Sequence, residues 1–505
     1  MKYRSMIPAL LATAMLVTDR PALAQEGYPE GTVAREGQRS VEIGNGLRWP
    51  LPDRHPSALR ALTGKLTIYQ VNIRQFTPEG TFDAFREQHL DRLHEMGVGM
   101  LWLMPIHPIG EVKRKGTMGS PYSVQNHQTV NPDLGTIEDL QELVEAAHER
   151  GMLVILDWVP NHSAWDHVES VVYPEWWVKD PETGLHKTPN EDWTDVIQFD
   201  HRRFPVRNYL QQSKDYWITE ADIDGFRVDV AEMMEYSMQR RWIATLEYKY
   251  GEKFFLAEGY EDDLYRARYD TTYDWPFRDL LKGIVERRAN IHQIYPTLFL
   301  MQKEASNGRF RMLFTSNHDM NAWENSAIDT FGDAAGIMAA LTFLAQGMPM
   351  IYSGQEAGND KELEFFEKDP IEWREHELAK IYRGLAHLKR NNSVLSHTTR
   401  GGVLKPIDCG EQDQVMGFRR ERGTSVVAFI GNFTAEPASV TIGRDLGRAT
   451  YRDAITGETV QARPGMTFDL EPWGFRVLFS GPVLPYPKNP LDPDNLVDRE
   501  AQITR

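Results

Sequence analysis

The feature that most constrains the fold is an alternation of apolar, strand-like runs with amphipathic, helix-like runs, which begins near residue 64. The helix-like runs carry apolar residues at three- and four-residue spacing and end at a glycine, as in FDAFREQHLDRLHEMG and TIEDLQELVEAAHERG. The eight strand-like runs are residues 66–73, 99–106, 152–159, 223–230, 254–260, 271–275, 310–317 and 348–355. Eight strands alternating with helices are typical of an α/β fold with a closed parallel sheet, so we predict a (β/α)8 TIM barrel.

Three segments of the chain differ from this alternation. Two connections, 107–135 after the second strand and 160–205 after the third, are longer than ordinary loops, and loops of this length in a compact barrel are usually functional. After the predicted barrel at 64–394, short strands separated by turn residues predict a C-terminal antiparallel β-sandwich at 395–481. A Pro-rich tail follows at 482–505.

The N-terminus has the features of an export signal. A basic start precedes a short apolar run at 6–17, and residues 22–24 (ALA) form a small-x-small cleavage site. We therefore predict a signal peptide at 1–24 with cleavage after Ala24, an N-terminal extension at 25–63, and a periplasmic or secreted protein. The run is too short to span a bilayer, and no later segment looks long and apolar enough, so we predict no membrane anchor.

Charge and cysteine content argue against several classes of protein. The net charge is −17 at pH 7, whereas phosphate contacts need clustered Lys and Arg, so we predict no nucleic-acid partner. The single cysteine, Cys409, permits no intrachain disulfide and is interpreted as an inert packed thiol. The chain has no HExxH motif and no P-loop, so a zinc or nucleotide enzyme is not supported. Oligomeric state is left unpredicted.

Charged residues stand at the ends of several predicted strands, where TIM barrels form their active sites. In DGFRVDV, Arg227 and Asp229 are two apart and therefore share one face of the fourth strand. Alone they could be a structural ion pair, but Glu258 ends the fifth strand and Asp319 the seventh. Four charges at one mouth favour an active site. Glu356, after the eighth strand, is better interpreted as a cap or salt bridge.

This set of side chains suits glycoside hydrolysis, which uses two carboxyl groups beside a glycosidic bond. Arg227 gives Asp229 the cationic neighbour that keeps a nucleophile ionised, and Glu258 would be the acid/base. Adjacent strands lie about 4.8 Å apart, which matches the roughly 5 Å carboxyl separation of a retaining mechanism. Asp319 would hold sugar hydroxyls and help shape the oxocarbenium-like transition state.

Four motifs, DWVPNH, GFRVDVA, FLAEGY and FTSNHD, occur in this order. With them, residues 65–480 resemble the α-amylase family of glycoside hydrolases, and four ordered motifs are a strong signal. The resemblance implies the same roles as above: nucleophile, acid/base and transition-state stabiliser in Asp229, Glu258 and Asp319. It also implies that Arg227 is the partner of the nucleophile and that Asp157 orients this arginine.

The resemblance further implies how a sugar is held. His162 and His318 would be ligands of the sugar in the cleaved position, Tyr122 its stacking platform, and 160–205 the inserted domain B. Asn161 matches the calcium-binding Asn of the family, which makes Ca²⁺ a possible cofactor. The implied activity is double-displacement cleavage of α-1,4-glucosidic bonds in an α-glucan or malto-oligosaccharide substrate such as starch or maltodextrin.

The sequence departs from the family pattern at two places. Many members have Lys-His three and four residues after the nucleophile, where this chain has Glu232 and Met233, so the acceptor side is not predicted. The sequence DVA, which begins at the predicted nucleophile and covers residues 229–231, is closer to the form found in maltodextrin- and cyclodextrin-acting relatives. Asn126 and His127 replace a usual Asp-Tyr pair.

Two alternative functions stay open. One is a transglycosylase or isomerase of the same family, acting on maltodextrins or cyclodextrins, which shares the first chemical steps. The other, of a different class, is a non-catalytic glucan-binding protein; the presence of all three catalytic acids disfavours it. The tryptophans in 160–205 could be glucan platforms or packing for this loop: Trp165, Trp176, Trp177 and Trp193.

Overall fold

The computed structural model describes residues 40–43, 47–50, 58–410 and 413–481. The chain divides into two compact units, Met1–His55 and Pro56–Arg505. The described part of the first unit is an antiparallel pair of strands, Ser40–Ile43 and Leu47–Pro50. The signal peptide, most of the N-terminal extension and the Pro-rich tail lie outside the described residues, and these segments stay predictions.

The second unit is built on a closed barrel of eight parallel strands. Each strand pairs with the next along the chain, and the eighth pairs with the first. This confirms the predicted (β/α)8 TIM barrel. The strands are β1 (Ile68–Val71), β2 (Met100–Leu103), β3 (Leu153–Trp158), β4 (Gly225–Val228), β5 (Phe254–Ala257), β6 (Thr271–Tyr273), β7 (Arg311–Leu313) and β8 (Met348–Tyr352).

Every strand ends earlier than the run that predicted it. β4 ends at Val228 and β5 at Ala257, so Asp229 and Glu258 lie one residue beyond the ladder, at the carboxyl mouth of the barrel. β4 approaches β5 so closely that a Cβ on Gly225 would lie 1.9 Å from the Phe254 carbonyl oxygen. Glycine at this position therefore permits the pairing that sets Asp229 and Glu258 side by side.

Helices surround the barrel, and the first long one begins at a side-chain cap and ends at the glycine that the sequence predicted. Thr81 accepts a hydrogen bond from Ala84 N at the start of Phe82–Met96, and Gly97 ends that helix at φ 96°. The α-helices are Ala58–Thr63, Ile73–Phe76, Phe82–Met96, Ile137–Glu149, Phe204–Ala221, Tyr236–Tyr250, Asp263–Arg266, Trp275–Val285, Ile294–Ser306, His318–Trp323, Ala327–Phe331, Ala335–Leu344 and Glu377–Asn391. The 3₁₀ turns are Pro174–Trp176, Ala231–Met233, Ile291–Gln293, Gly332–Ala334, Gln355–Ala357 and Ser393–Leu395.

Residues 160–205 form a small insertion after β3. Its two ends are tied by an antiparallel pair, His162–Ala164 with Val196–Gln198. Trp176 and Trp177 are buried, which supports the packing interpretation for these two tryptophans. Trp165 and Trp193 are partly exposed.

The C-terminal region has two antiparallel sheets. The strands are β9 (Val403–Ile407), β10 (Val415–Arg422), β11 (Ser425–Asn432), β12 (Ala438–Ile442), β13 (Ala449–Asp453), β14 (Thr459–Ala462), β15 (Met466–Leu470) and β16 (Phe475–Ser480). One sheet has the order β9-β10-β11-β16-β13-β14, and β12 pairs with β15. Side chains of both sheets meet in one apolar cluster, so the six-stranded and the two-stranded sheet form a sandwich of unequal layers. Cys409 is buried in this cluster, and burial raises the pKa of its thiol to about 12, as fits an inert thiol.

One buried arginine of the sandwich reaches into the barrel. Arg420 of β10 is 1% exposed, and its guanidinium binds only carbonyl oxygens among the described contacts. Nη1 donates to Leu344 and Ala345 (3.2 and 3.3 Å), Nη2 to Ser396 (2.8 Å) and Nε to Gly402 (3.4 Å). The first two carbonyls belong to the carboxyl end of helix Ala335–Leu344, which favours a cation there.

The stretch Ala327–Leu344 is an exception to the prediction that no segment after the signal peptide is long and apolar enough to span a membrane. By length and composition it could cross a membrane, although the sequence suggested that no segment after the signal could. However, 67% of it is buried inside the protein, and every residue of Ala335–Leu344 is buried. The reason for its apolarity is therefore packing in the core of the fold.

Candidate active site

The pairing of β4 with β5 sets the two central carboxyl groups side by side. Arg227 pairs with Leu256 and Val228 with Ala257, so Asp229 and Glu258 come next in register. Glu258 N–H donates to the Val228 carbonyl at 3.0 Å, and Asp229 N–H donates to the Trp158 carbonyl of β3 at 2.9 Å. The main chain at both residues is therefore fixed by the barrel itself.

Arg227 joins three carboxylates. Its Nη1 lies 2.7 Å from Asp157 Oδ1 and 2.9 Å from Asp229 Oδ1, and its Nη2 lies 2.8 Å from Glu258 Oε2. The arginine side chain is fully buried, and its Nε also donates to Tyr273 Oη at 3.2 Å. One guanidinium therefore spaces the two carboxyl groups that were predicted to act on the substrate.

Burial and Arg227 act on the pKa of Asp229 in opposite directions. Burial raises the pKa above its ordinary value, whereas the charge and hydrogen bond of Arg227 lower it, which is the effect predicted for this arginine. Burial likewise raises the pKa of Asp157 to about 6. The physical reason is desolvation of the buried carboxylates, which the charge of Arg227 offsets only in part.

The second oxygen of Asp229 is aimed at no protein donor. Asp229 Oδ2 is buried and has no hydrogen-bond partner in the described part of the chain, and His162 Nε2 lies 3.9 Å from it. A buried carboxylate oxygen without a partner is unfavourable unless a ligand uses it. The next residue, Val230, has φ 39°, and its N–H donates to Glu258 Oε2 at 2.7 Å. Such strain at a β-branched residue clusters at functional sites.

A hydrogen-bonded network holds the predicted sugar platform. Tyr122 Oη lies 2.9 Å from Asp157 Oδ2 and 2.8 Å from His318 Nε2. Gln70 Nε2 lies 2.7 Å from His318 Nδ1, and Trp102 Nε1 donates to Asp157 Oδ2 at 3.1 Å. Sequence reasoning missed Gln70, Trp102 and Tyr273. A polar or aromatic side chain at an inward position of an otherwise apolar barrel strand would have been the signal.

Asp319 lies at the N-terminal end of helix His318–Trp323, which follows β7. Its Oδ2 is 3.3 Å from His318 Nε2, and its side chain is 42% exposed, against 7% for Asp229 and 15% for Glu258. Desolvation in the mouth nevertheless raises the pKa of Asp319 to about 6. The barrel therefore brings all three predicted catalytic acids together, with Asp319 at the outer edge.

Glu356, also at a strand end, binds Tyr69 and Arg92. Tyr69 Oη donates to its Oε1 at 2.8 Å, and Arg92 Nη1 lies 2.6 Å from the same oxygen. The carboxylate is 2% exposed. These contacts agree with the salt-bridge interpretation.

Five buried histidines are held neutral. Burial lowers the pKa to about 3 at His107, His127, His162, His167 and His318. His127 occupies the position of the usual family Tyr, and its Nε2 bonds the Val159 carbonyl at 2.8 Å. Its Nδ1 lies 3.2 Å from His167 Nε2, so the two imidazoles tie the 107–135 connection to the insertion.

These histidines predict how stability depends on pH. A histidine whose pKa is lowered from 6.5 to about 3 by folding stabilises the native state above pH 6.5 and loses that contribution as the pH falls. Folding raises the pKa to about 6 at three aspartates, Asp157, Asp274 and Asp319. These three therefore add to the stability of the native state as the pH falls from about 6 to about 4. Each proton is worth about 1.4 kcal/mol per pH unit. We therefore expect the urea midpoint to fall from pH 7.5 to 6 and to keep falling below pH 6, because the five histidines outnumber the three aspartates.

The variant His107→Asn provides the comparison. It removes one titrating imidazole, so its urea midpoint should fall less steeply between pH 7.5 and 6 than that of the wild type. A midpoint that is flat or rises over this range in the wild type would contradict the assignment of neutral buried histidines.

Asn161, the predicted calcium ligand, is buried. Asn161 Oδ1 is buried and without a partner among the described residues, which fits one ligand. No cluster of three His, Cys, Asp or Glu side chains that could hold a metal occurs in the described ranges, but calcium also binds amide and backbone carbonyl oxygens, so calcium stays a prediction. No step below involves calcium.

Glu232, one of the residues that depart from the family pattern, contacts the loop that carries Glu258, the predicted acid/base. Glu232 Oε1 accepts hydrogen bonds from the N–H groups of Tyr260 and Glu261, the latter at 2.8 Å. Glu232 therefore clamps the loop that carries Glu258. Met233 is 47% exposed beside it.

Comparison with known proteins agrees with this geometry. The family model described as "Alpha amylase, catalytic domain" matches residues 80–197 and 192–390, which is more than half of the chain and contains all three acids. The chain belongs to the α-amylase family of glycoside hydrolases.

Several members of the α-amylase family are similar over most of the chain. The α-amylase MalA of Haloarcula japonica is 27% identical over 89% of this chain and 69% of its own length. A cyclomaltodextrinase of Thermoanaerobacter pseudethanolicus is 24% identical over 72% of this chain and 66% of its own length. The crystal structure of the maltogenic α-amylase AmyB from Thermotoga neapolitana is 25% identical, with a TM-score of 0.72 over 84% of this chain and 99% of that one. The chain thus spans about two thirds of the length of these curated relatives.

Proposed function

We propose that this α-amylase family member is a retaining hydrolase of α-1,4-glucosidic bonds in starch or maltodextrins. The observation that carries the proposal is the attachment of Asp229 and Glu258, on adjacent strands, to one guanidinium, with Asp229 Oδ2 left without a protein partner. Two carboxyl groups held by one guanidinium on adjacent strands can lie on either side of one glycosidic bond.

In the proposed reaction, Asp229 Oδ2 attacks the anomeric carbon while Glu258 gives its proton to the departing glycosidic oxygen. The bond to that oxygen breaks, and a glycosyl ester forms on Asp229. Glu258, now a carboxylate, removes a proton from water, whose oxygen attacks the same carbon and releases Asp229. Tyr122 and His318 face the sugar, and Asp319 binds its hydroxyls as charge develops on the ring.

The proposal is tested by incubating the mature protein with soluble starch, maltoheptaose and β-cyclodextrin and following products by chromatography. The anomeric configuration of the first product, read by proton NMR, tests retention. A ladder of short α-anomeric oligosaccharides is the expected result. β-anomeric products would contradict the double displacement, and no product from any substrate would contradict the hydrolase.

A second candidate function is transfer of the glycosyl group to a sugar. Met233 and Tyr260, which are 47% and 37% exposed, lie in the loops beside Glu258 and offer apolar contacts to an acceptor. The cyclomaltodextrinase and maltogenic amylase among the relatives point to maltodextrin- or cyclodextrin-acting chemistry. Longer products from maltotriose alone would favour transfer. A non-catalytic glucan-binding role has no observation in its favour.

We also propose that the protein is exported through the signal peptide at 1–24 and acts in the periplasm or outside the cell. The sequence features given above support this proposal. N-terminal sequencing of the exported protein should begin at Gln25, and a protein that stays unprocessed inside the producing cell would contradict it.

Glu258→Gln should affect substrates according to their leaving group. Because only a poor leaving group needs protonation, kcat/KM for maltoheptaose should fall about 10²- to 10⁴-fold, whereas an aryl α-maltoside with an acidic phenol should lose far less. Glu261→Gln, in the same loop, is the matched control and should leave both values near wild type. Equal losses on both substrates in Glu258→Gln would contradict its role as the acid.

A further inference from the structure

Gln70 places a buried amide against His318, one of the two residues that face the sugar. Gln70 lies on β1, pairs in register with Trp102 of β2 and Tyr352 of β8, and is fully buried. Its carbonyl accepts hydrogen bonds from Ser353 N–H at 3.1 Å and from Ser353 Oγ at 2.7 Å. The main chain at Gln70 is therefore fixed by both neighbouring strands, and its side chain extends from there to His318.

The orientation of the Gln70 amide is set by the main chain of His318. Gln70 Oε1 accepts a hydrogen bond from His318 N–H at 3.3 Å, and a main-chain N–H can only donate. The amide oxygen therefore occupies that side, and the amide NH₂ group faces the imidazole. Its Nε2 lies 2.7 Å from His318 Nδ1, so Nδ1 receives a hydrogen from Gln70 and must offer its lone pair.

The imidazole of His318 is held in place and carries a single proton. Its ring stacks with Tyr122, with centroids 5.3 Å apart at 19°, and with Phe365, 6.4 Å apart at 25°. Burial lowers the pKa of His318 to about 3; the charge of Arg227 lowers it as well, and that of Glu258 acts in the opposite direction. The ring is therefore neutral at neutral pH. Since Nδ1 faces a donor, the one proton of the ring belongs on Nε2.

The contacts on the other side of the ring require the same tautomer. His318 Nε2 lies 2.8 Å from Tyr122 Oη and 3.3 Å from Asp319 Oδ2. Tyr122 donates its own hydrogen to Asp157 Oδ2 at 2.9 Å, so its oxygen can accept from Nε2–H. A lone pair on Nε2 would instead face the carboxylate of Asp319. Gln70 at one end and the acids at the other end therefore favour the same position for the proton.

We propose that Gln70 is a positioning residue that holds His318 in the Nε2–H tautomer, so that the imidazole donates a hydrogen bond toward the sugar. The proposal rests on the proposed function. A sugar hydroxyl that enters can accept from Nε2–H and donate its own hydrogen to Asp319. In the opposite tautomer, Nε2 and Asp319 would be two acceptors competing for one hydroxyl hydrogen.

Neutron diffraction from crystals of the perdeuterated wild type at pH 7.5 tests the tautomer directly. A single ring deuterium on His318, at Nε2, is the expected result. A deuterium on Nδ1 would overturn the inference. The measurement needs neither activity nor a variant, so it decides the tautomer whether or not the protein is a hydrolase and whether or not a substituted chain folds.

Gln70→Glu tests the consequence for activity. At pH 8 the new carboxylate can only accept, so the neutral imidazole must place its hydrogen on Nδ1 and loses its donor toward the sugar. At pH 5 an added proton, on either the carboxyl group or the ring, restores Nε2–H. The ratio of variant to wild-type kcat/KM on maltoheptaose should therefore rise about tenfold from pH 8 to pH 5.

Gln355→Glu is the matched control. Gln355 is another buried amide, in the turn after β8; its Oε1 accepts from Tyr352 N–H at 2.8 Å, and its Nε2 donates to Thr315 Oγ1 at 2.7 Å rather than to a histidine. The ratio of this variant to wild type should stay constant from pH 8 to pH 5. Gln70→Met, which has no proton to give, should lower kcat/KM about 10- to 100-fold throughout this range.

Three results would overturn the positioning role while leaving the hydrolase intact. They are a constant ratio in Gln70→Glu, an equal rise in Gln70→Glu and Gln355→Glu, or wild-type activity in Gln70→Met. If the wild type does not cleave maltoheptaose, the proposed hydrolase fails instead, and the neutron map alone decides whether Gln70 sets the tautomer.

Discussion

Asp229→Asn is expected to lower kcat on maltoheptaose on the order of 10⁴- to 10⁶-fold, as removal of a catalytic nucleophile does. The amide keeps the shape of the side chain but cannot form the glycosyl ester. The fold should survive, because Arg227 keeps two carboxylate partners, Asp157 at 2.7 Å and Glu258 at 2.8 Å, when the third is neutralised. Removal of one of several clustered acids leaves no uncompensated cation.

The measurement pairs initial rates with thermal unfolding followed by circular dichroism. Asp222→Asn, the same chemical change seven residues upstream at a side chain that is 84% exposed, is the matched control and should keep both properties. Asp222 adopts φ 50°, a conformation that asparagine also tolerates. Residual turnover above a few per cent in Asp229→Asn would show that another group is the nucleophile.

Arg420→Met is expected to destabilise the second unit by about 3–5 kcal/mol, as the loss of a buried charged partner does. Methionine fills much of the same space but leaves the carbonyls of Leu344, Ala345 and Ser396 without a donor. Because two of these carbonyls close helix Ala335–Leu344, the loss should spread into the barrel rather than stay in the sandwich. Scanning calorimetry should show one transition at lower temperature.

The control is Arg419→Met, the preceding residue on β10, whose side chain is 19% exposed and lies 3.3 Å from Glu421. Partly exposed ion pairs contribute about 0–1 kcal/mol, so this variant should unfold close to wild type. An Arg420→Met protein with wild-type thermal stability would show that the carbonyls find other donors. Two separated transitions would show that sandwich and barrel unfold independently.

The sequence predicted the barrel well because its signals are local and repeated. Helix caps such as Thr81 and Gly97 and the apolar strand runs each depend on a few neighbouring residues. The strand ends were overextended for a physical reason: at the carboxyl mouth the chain leaves the ladder while staying buried, so Asp229 and Glu258 look like strand residues in a hydrophobicity pattern.

The site was predictable as far as its acids, and less so beyond them. Which carboxylates share Arg227 depends on the register between strands, so the sequence alone could not show that Asp157, Asp229 and Glu258 all contact this one guanidinium. Gln70 and Phe365 are brought to the mouth by segments at opposite ends of the barrel sequence. Asn161 was predicted as a calcium ligand, and calcium binding stays a prediction because oxygen ligands from the main chain leave no signal in a sequence.

The clamp that Glu232 makes has an evolutionary consequence. A side chain at Gly259 would meet Glu232 Cγ at 2.6 Å, and the Glu232 carboxylate satisfies the N–H groups of the two residues that follow. Positions 232 and 259–261 are therefore epistatic: replacing Glu232 by the lysine common in the family frees those amides and removes the clamp in a single step. In the design of a new acceptor side, position 232 and positions 259–261 should therefore be changed together.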